Sequence, residues 1–268
     1  MNQQSKVAVI GAGIMGEALI SALISYGVKA DLITISEKRE DRAAELVSKY
    51  GIKVAQISDN VSVAEVVLLV VKPQDMTLTV GEVAKSINKG TLVISFAAGK
   101  RISDIADLIG TSANPVIRVM PNTPIISGEG ASAISCCGLV TEEHRAYVKG
   151  FLGAAGKVIE VDEDLQDAVT ATSGSGPAYF FAFVEAMVAG AKQLGLSEED
   201  ATTLTVQTIV GAAKLLNESG KSATTLRENV TSPNGTTAAA LASFNSSDLN
   251  AIVAKAMKAA HDRSQELA

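Results

Sequence analysis

The chain has 268 residues, 47% hydrophobic and 19% charged, which is enough length and apolar content for one large or two medium domains. A formal net charge of −6 and a pI near 5.1 argue against nucleic acid or an anionic membrane surface as the main partner. No apolar run reaches the ~18–20 residues of a membrane span, and the first residues do not resemble a signal peptide, so we expect neither an anchor nor export.

Cysteine and histidine are scarce in this sequence. Cys136 and Cys137 are adjacent and are the only cysteines, and sequence neighbours rarely form a good disulfide. We therefore expect free thiols and a reducing, cytoplasmic location. Because there are two histidines and no paired-cysteine motif, we expect no metal site.

A glycine-rich turn lies near the start of the chain, between a predicted strand and a predicted helix. Residues 6–10 form an apolar run typical of a buried parallel strand, and residues 17–26 have helical periodicity. The pattern between them is G-x-G-x-x-G, in which the first Gly makes a tight turn, the second admits a pyrophosphate and the third allows close helix–strand packing. This context predicts dinucleotide binding by Gly11, Gly13, Ile14, Met15 and Gly16.

The choice of dinucleotide is predicted from the end of the second strand, residues 31–36. An acid there holds the ribose hydroxyls of NAD, whereas small polar and basic residues hold the 2′-phosphate of NADP. Ser36, Lys38 and Arg39 suit the phosphate, and an arginine can bind it bidentately. Glu37 instead suits NAD, unless it is only a solvated member of a charged run. We predict NADPH as the cofactor, with NADH as the alternative.

Three further predicted strands end in small, proline or amide residues. The strands cover residues 66–71, 91–95 and 115–119. The segments that follow them are Lys72-Pro73-Gln74, Phe96-Ala97-Ala98-Gly99 and Met120-Pro121-Asn122. Because ligands bind outside the carboxyl ends of the strands in open α/β sheets, these ends together predict a rim that lines a cofactor. Residues 131–135 and 157–161 can extend the sheet, with a helix near 142–152.

The pattern becomes helical after Asp162. We therefore predict an α/β fold with a Rossmann-type dinucleotide-binding domain at 1–162 and an all-α domain at 163–268. A short helix is predicted at 165–172, followed by a helix at 178–194. The second helix is apolar nearly all round, so we predict that it is buried, either within the chain or between subunits. Very apolar helices in so small a domain favour oligomerisation.

A run of turn formers and hydroxyls, residues 229–237, separates two of the later helices. Pro233 fixes φ and Asn234-Gly235 can adopt positive φ, and the alanines that follow predict a helix start. Such a loop can direct backbone N–H groups at a small anion such as a carboxylate, where the helix dipole is positive. The alternative is an ordinary helix–helix turn.

Together these segments resemble the pyrroline-5-carboxylate reductase family over essentially the whole chain. The carrying segments are 11–16, 71–74, 97–99, 118–124, 173–179 and 230–237. The last two are specific to that family, whereas the first occurs in many unrelated dehydrogenases. Asn234 and Lys100 depart from the family pattern, and residues 220–225 lack its frequent His-Pro. Asn and Gly both tolerate positive φ, so the turn at Asn234 should form.

The resemblance implies NAD(P)H-dependent reduction of the small molecule (S)-1-pyrroline-5-carboxylate to L-proline, the last step of proline biosynthesis. It implies a homodimer through the C-terminal helices, often assembled into a decamer, with each site shared between one subunit's cofactor and its partner's helices. The implied catalytic residues are Thr237, whose hydroxyl bonds the ring nitrogen, and Ser175, near the nicotinamide. The implied substrate residues are Ser232, Asn234, Gly235, Thr236 and Thr237. The further implied cofactor residues are Asn60, Val71, Lys72, Pro73, Ala97, Ala98, Met120 and Asn122.

Two other functions are compatible with a Rossmann-type domain followed by helices. A dehydrogenase of β-hydroxy acids would need a catalytic lysine in the helix at 178–194, which has only Lys192, far from its start. A protein that senses a nucleotide without turnover would give no reason for the two family-specific loops. The reductase hypothesis accounts for both loops.

Overall fold

The structure is a computed structural model that describes residues 1–110 and 113–267, without the side chain of Pro73. The chain divides into two compact units. The first is Met1–Ser175 together with the end of the chain from Ala260, and the second is Gly176–Ala259. This division into compact units does not test the predicted domain boundary after residue 162, which stays a prediction.

The first unit is built on one sheet. Its strands within the described residues are β1 (Val7–Ile10), β2 (Ile33–Ser36), β3 (Lys53–Val54), β4 (Val66–Leu69), β5 (Leu92–Ser95), β6 (Val116–Met120), β7 (Gly130–Cys136) and β8 (Gly156–Glu160). Its helices are α1 (Ile14–Tyr26), α2 (Glu40–Tyr50), α3 (Ile57–Ser62), α4 (Met76–Ala84), α5 (Ile102–Ile109), α6 (Glu142–Gly153) and α7 (Gln166–Val169).

The strand order is β3-β2-β1-β4-β5-β6-β7-β8, and all neighbours are parallel except β6 and β7. The central strands are in register at their ends, with Ile10 opposite both Ser36 and Leu69, and Leu69 opposite Ser95. The carboxyl ends of these strands therefore lie at one edge of the sheet. This confirms the predicted α/β fold with a dinucleotide-binding topology.

Both faces of the sheet are buried. Alternate residues of β1 enter different hydrophobic clusters, Val7 and Val9 on one face, Ala8 and Ile10 on the other. Helices α1 and α6 contribute to the first cluster, and α4 and α5 to the second. A strand covered on both sides needs no polar residue, which explains why the predicted strands are continuous apolar runs.

The strands differ from prediction mainly around β2 and β3, and β4 ends at Leu69, two residues before the predicted end at 71. Residues 30–32 form a 3₁₀ turn before β2, so the strand begins at Ile33. The edge strand β3 was not predicted, because its two residues are exposed and too short to show a pattern.

A charge network holds α1 against α2. The Glu17 carboxylate of α1 accepts hydrogen bonds from Lys49 at 2.7 Å and Tyr50 at 3.1 Å, and it is paired with Arg42. These partners, Lys49 first, lower the pKa of Glu17 to about 2. Arg42 also donates from Nε to the carbonyl of Ala12 at 3.1 Å, so the network reaches the glycine-rich loop.

The second unit is helical. Its helices are α8 (Gly176–Gln193), α9 (Glu198–Glu218), α10 (Ala223–Asn229), α11 (Thr236–Ser246) and the first part of α12 (Leu249–Glu266). Ser197 caps α9 by accepting from the N–H of Asp200 at 3.1 Å, and the rings of Phe183 and Phe244 lie 6.3 Å apart. No described helix is both long and apolar enough to cross a membrane.

In the single chain, the apolar helix predicted to be buried at 178–194 is exposed, which leaves a subunit interface as the place where it could be buried. Phe180 and Phe181 of α8 are 62% and 65% exposed, and Leu204 and Val210 of α9 are exposed as well. Exposed aromatic and aliphatic side chains in such number are typical of a surface that another protein covers.

We predict that Glu17→Gln removes a pH-dependent part of the stability. Because the folded pKa lies below the unfolded value of 4.5, Glu17 stabilises fully above pH ~4.5 and loses this contribution as the pH falls towards 2. In urea unfolding, the free energy of unfolding of the variant should be about 1–2 kcal/mol lower than that of the wild type at pH 7, and this difference should become smaller below pH 4. Glu82→Gln on the exposed side of α4 is the control. An equal loss at pH 7 and pH 3 would contradict the assignment.

Candidate functional site

The first glycine of the motif makes the turn that sequence analysis predicts. Gly11 has φ +89°, and its N–H donates to the carbonyl of Ser36 at 3.0 Å. A Cβ at Gly11 would lie 2.7 Å from the carbonyl oxygen of Val70 and 3.1 Å from a side-chain carbon of Val71. The loop therefore contacts the ends of both β2 and β4 at Gly11, a position that only glycine can occupy.

The other two glycines play different roles. A Cβ at Gly16 would collide with the carbonyl of Gly11, so Gly16 permits the close approach of α1 to the loop. A Cβ at Gly13 would meet nothing within 4 Å, so Gly13 faces open space. Gly13 is also the N-cap of α1, whose start no side chain caps. An uncapped helix start facing open space fits the pyrophosphate of a dinucleotide.

Ala12 lies between the first two glycines, and both its backbone N–H and its carbonyl are hydrogen-bonded to side chains. Its N–H donates to Glu37 Oε2 at 2.8 Å, and its carbonyl accepts from Arg42. The second oxygen of Glu37 accepts from the N–H of Arg39 at 3.0 Å. Glu37 is therefore part of the loop's framework and not a solvated member of a charged run.

The remaining predicted cofactor residues near β2 have other contacts. The buried Ser36 hydroxyl donates to the carbonyl of Ala55 at 3.0 Å and accepts from the Asn60 amide at 3.0 Å. Asn60 is buried and also donates to Thr34, so both residues brace the end of β2. Arg39 pairs with Asp41 at 2.8 Å, and Lys38 is exposed.

The predicted rim follows β4 and β5. Val71 lies beside Gly11, as described, and the exposed Lys72 comes next. Ala97 is buried and Ala98 half-buried at the end of β5. The side chain of Pro73 lies outside the described part of the chain. The sheet register thus brings the ends of β4, β5 and β6 to one edge of the sheet, beside the end of β1, as predicted for a rim. That this rim lines a cofactor stays a prediction.

The end of β6 meets a π-helical turn that was not predicted from the sequence, although it overlaps the start of the family-specific segment 173–179. Residues 170–174 form a π-helical turn, closed by the Ser175 N–H donating to the Thr170 carbonyl at 2.8 Å. A Cβ at Gly174 would collide with the terminal methyl of Met120, so this turn packs on Met120. Asn122 accepts from the N–H of Ala131 at 2.8 Å. The π turn replaces the end of the predicted helix at 165–172, and such turns occur frequently at functional sites.

The loop before α11 forms a compact turn. Asn234 has φ +58°, and the Gly235 N–H donates to the Ser232 carbonyl at 3.0 Å. A Cβ at Gly235 would collide with the Ser232 hydroxyl. Gly235 is the N-cap of α11 and provides no side-chain cap, so the N–H groups of Thr236 and Thr237 stand at an uncapped helix start. The helix begins at Thr236, two residues before the first of the alanines.

Neither histidine has a catalytic setting. His144 accepts from the N–H of Thr141 at 3.2 Å in the cap of α6, and burial lowers the pKa of His144. His261 lies 3.3 Å from the neighbouring Asp262. Among the described residues, no group of three or more His, Cys, Asp or Glu could hold a metal ion.

The sheet topology and glycine-rich loop define a Rossmann-type dinucleotide-binding protein with a helical second unit. Residues 6–99 match the family described as NADP oxidoreductase coenzyme F420-dependent, and residues 163–267 match that described as pyrroline-5-carboxylate reductase dimerisation. A pyrroline-5-carboxylate reductase from Pseudomonas aeruginosa is 40% identical over 265 residues, covering 98% of this chain and 97% of the relative. The chain belongs to the pyrroline-5-carboxylate reductase family.

Solved structures agree with this assignment. A pyrroline-5-carboxylate reductase from Coxiella burnetii has a TM-score of 0.93 and 34% identity, with 99% of both chains covered. A Plasmodium falciparum pyrroline carboxylate reductase with NADP bound has a TM-score of 0.85 and 26% identity, covering 100% of this chain and 99% of the other.

We predict that alanine at two glycines of the loop affects stability differently. Gly13→Ala should leave the melting temperature unchanged and weaken NADH and NADPH binding at least ~10-fold, because the added methyl enters the open space where we expect the phosphates. Gly16→Ala should lower the melting temperature as well as weaken binding, because its methyl meets backbone. Calorimetric binding and thermal unfolding measure both effects. Unchanged binding by Gly13→Ala would remove this loop from the dinucleotide site.

Proposed function

We propose that this chain is a pyrroline-5-carboxylate reductase that uses NAD(P)H to form L-proline. The observation that carries the proposal is family membership over nearly the whole chain, with both family-specific loops present. The cofactor loop and the uncapped start of α11 supply the two binding functions that such an enzyme needs.

The substrate carboxylate binds at the start of α11. The N–H groups of Thr236 and Thr237 have no partner inside the helix, and the positive end of the helix dipole favours an anion. The N–H of Gly235 is engaged with Ser232 within the turn. Gly235 therefore acts by allowing the Ser232 hydroxyl to lie close to the helix start, while Asn234 supplies the left-handed turn.

The reaction depends more on the orientation of the substrate ring and the nicotinamide than on acid–base catalysis by side chains. When bound, the dihydronicotinamide supplies a hydride to the carbon of the substrate C=N bond. A ring imine takes up a proton near neutral pH, so no strongly acidic side chain is required. Thr237 places its hydroxyl on the ring nitrogen and holds the flat ring in one orientation. Ser175 closes the π turn that packs on Met120, and we assign both residues to the nicotinamide side of the site.

A homodimer through the C-terminal helices accounts for the exposed apolar surface of the second unit. Phe180 and Phe181 on α8 and Val210 on α9 would be costly to leave in water. The match of residues 163–267 to a dimerisation family supports the same assignment. Measured mass will show whether the dimers assemble further into a decamer.

The protein acts in the cytoplasm. Its cysteines are both free, and burial raises the pKa of the Cys136 thiol to about 11, so this thiol stays protonated and unreactive. Fractionation of the native host with an antibody would place the protein in the soluble cytoplasmic fraction; recovery with an exported or membrane fraction would contradict this.

Substrate-dependent oxidation of NADH and NADPH tests the reaction. Purified protein with saturating DL-pyrroline-5-carboxylate should oxidise at least one of the two rapidly and form proline. Folded protein that binds a cofactor but oxidises neither would contradict the proposal and favour the sensing alternative.

Removing the Thr237 hydroxyl should lower turnover. We expect Thr237→Val, which keeps the side-chain shape, to lose ~10- to 100-fold in kcat because the ring nitrogen loses its orienting hydrogen bond. Thr237→Ser keeps the hydroxyl and should retain most of the activity. Steady-state kinetics of both variants at saturating substrate measures the effect. Equal rates for the two variants would remove Thr237 from the catalytic residues.

Placing a charge on the exposed apolar surface should dissociate the dimer. Phe181→Glu should shift the mass in light scattering from dimer or larger towards monomer, because a carboxylate would be buried without a partner. Asn217→Glu adds the same charge at an exposed polar position near the end of α9 and should leave the mass unchanged. A Phe181→Glu protein with the wild-type mass would argue against an interface at this position of α8.

A further inference from the structure

Glu37 lies at the end of β2, the position at which Rossmann-type domains distinguish NAD from NADP. It follows β2 directly, and its carboxylate is fixed by the N–H groups of Ala12 at 2.8 Å and Arg39 at 3.0 Å, one on each oxygen. A carboxylate offers about four lone-pair sites. Each oxygen of Glu37 therefore keeps one further acceptor site. The hydrogen bonds from Ala12 and Arg39 hold the carboxylate in one orientation, so these two sites have fixed directions.

Two acceptor sites on one carboxylate match a pair of adjacent hydroxyls. The adenosine ribose of NADH presents such a pair, and each hydroxyl can donate to one oxygen of Glu37. The 2′-phosphate of NADPH cannot donate to a carboxylate and would place negative charge beside it. At a few ångströms, repulsion of this kind weakens binding by ~10-fold or more.

The side chains that could favour a 2′-phosphate each have another partner in the structure, although the Arg39–Asp41 pair lies on the exposed surface. The hydroxyl hydrogen of Ser36 is donated to Ala55, inside the fold. Arg39 makes a two-point contact with Asp41, at 3.3 Å and 2.8 Å. Arg42 is engaged by Glu17, Glu45 and the Ala12 carbonyl.

This leaves Lys38 as the basic side chain near Glu37 without an ion pair among the described residues, and it is exposed. A single exposed ammonium, screened by solvent and salt, contributes little against a fixed carboxylate. Of the residues that favoured NADPH in the sequence, Ser36 and Arg39 therefore each have another partner as the chain folds, and Lys38 is exposed.

We propose that Glu37 is the specificity-determining residue of the dinucleotide site and makes NADH the preferred cofactor of this chain. The inference rests on the proposed function for the existence of the site, and it goes beyond that function by choosing between the two cofactors. The Plasmodium relative with NADP bound is 26% identical, and a choice made by one side chain can differ at that distance.

Direct binding of ligands to the purified protein tests the proposal without turnover. Calorimetry with ADP-ribose and with its 2′-phosphorylated form isolates the part of the cofactor that Glu37 would contact. Wild-type protein should bind ADP-ribose at least ~10-fold more tightly than the phosphorylated form. NADH and NADPH, followed by their fluorescence, should show the same order.

Glu37→Gln distinguishes recognition from mere support of the loop. The amide oxygen can still accept from Ala12, whereas the charge and one acceptor are lost. We expect ADP-ribose to bind ~10-fold more weakly and the phosphorylated form to bind no more weakly than before, so that the preference disappears or reverses. Adding Asp41→Asn, which releases Arg39, should improve binding of the phosphorylated form further.

Glu40→Gln is the matched control, since it removes the same charge from an exposed residue three positions along the chain. It should keep the wild-type preference within ~2-fold. A wild-type preference for the phosphorylated form, or equal weakening of both ligands by Glu37→Gln, would overturn the assignment and leave the reductase function standing. Folded protein that binds neither ligand nor either cofactor would overturn the reductase function as well.

Discussion

The close approach of α1 to the end of the sheet is the constraint on which the dinucleotide site depends. It requires the absence of a side chain at Gly16, where a Cβ would meet the Gly11 carbonyl, and a left-handed turn at Gly11. Once the helix start is held there, its N–H groups face the open space at Gly13 without a side-chain cap. The close packing at Gly11 and Gly16 therefore leaves an uncapped helix start at Gly13, which is where we expect the phosphates of the dinucleotide.

Charge keeps this arrangement in place. Ala12 is held from one side by Glu37 and from the other by Arg42, which is itself anchored by Glu17. The glycine-rich loop is thus joined to both β2 and α2. An uncapped helix start recurs in the second unit, where Gly235 precedes α11. Each unit therefore has a helix N-terminus without a side-chain cap, and we propose that each binds a different negative group.

Local pattern made much of this predictable. The strand–turn–helix around Gly11, the buried apolar strands and the turn at Asn234 each follow from a few consecutive residues. Features that depend on distant residues were not predictable in this way. The contact of Gly174 with Met120 joins positions far apart in the chain, and the roles of Ser36 and Asn60 as braces depend on how β2 meets α3. The exposure of α8 differs from expectation because a single chain does not supply the surface that covers it.

Hydride transfer to the C=N carbon of pyrroline-5-carboxylate is tested most directly with NADH deuterated at both C4 positions and mass spectrometry of the product. If the chain is the reductase we propose, the proline it forms carries a single deuterium at C5. Cofactor consumption without proline, or proline without deuterium, would contradict this function.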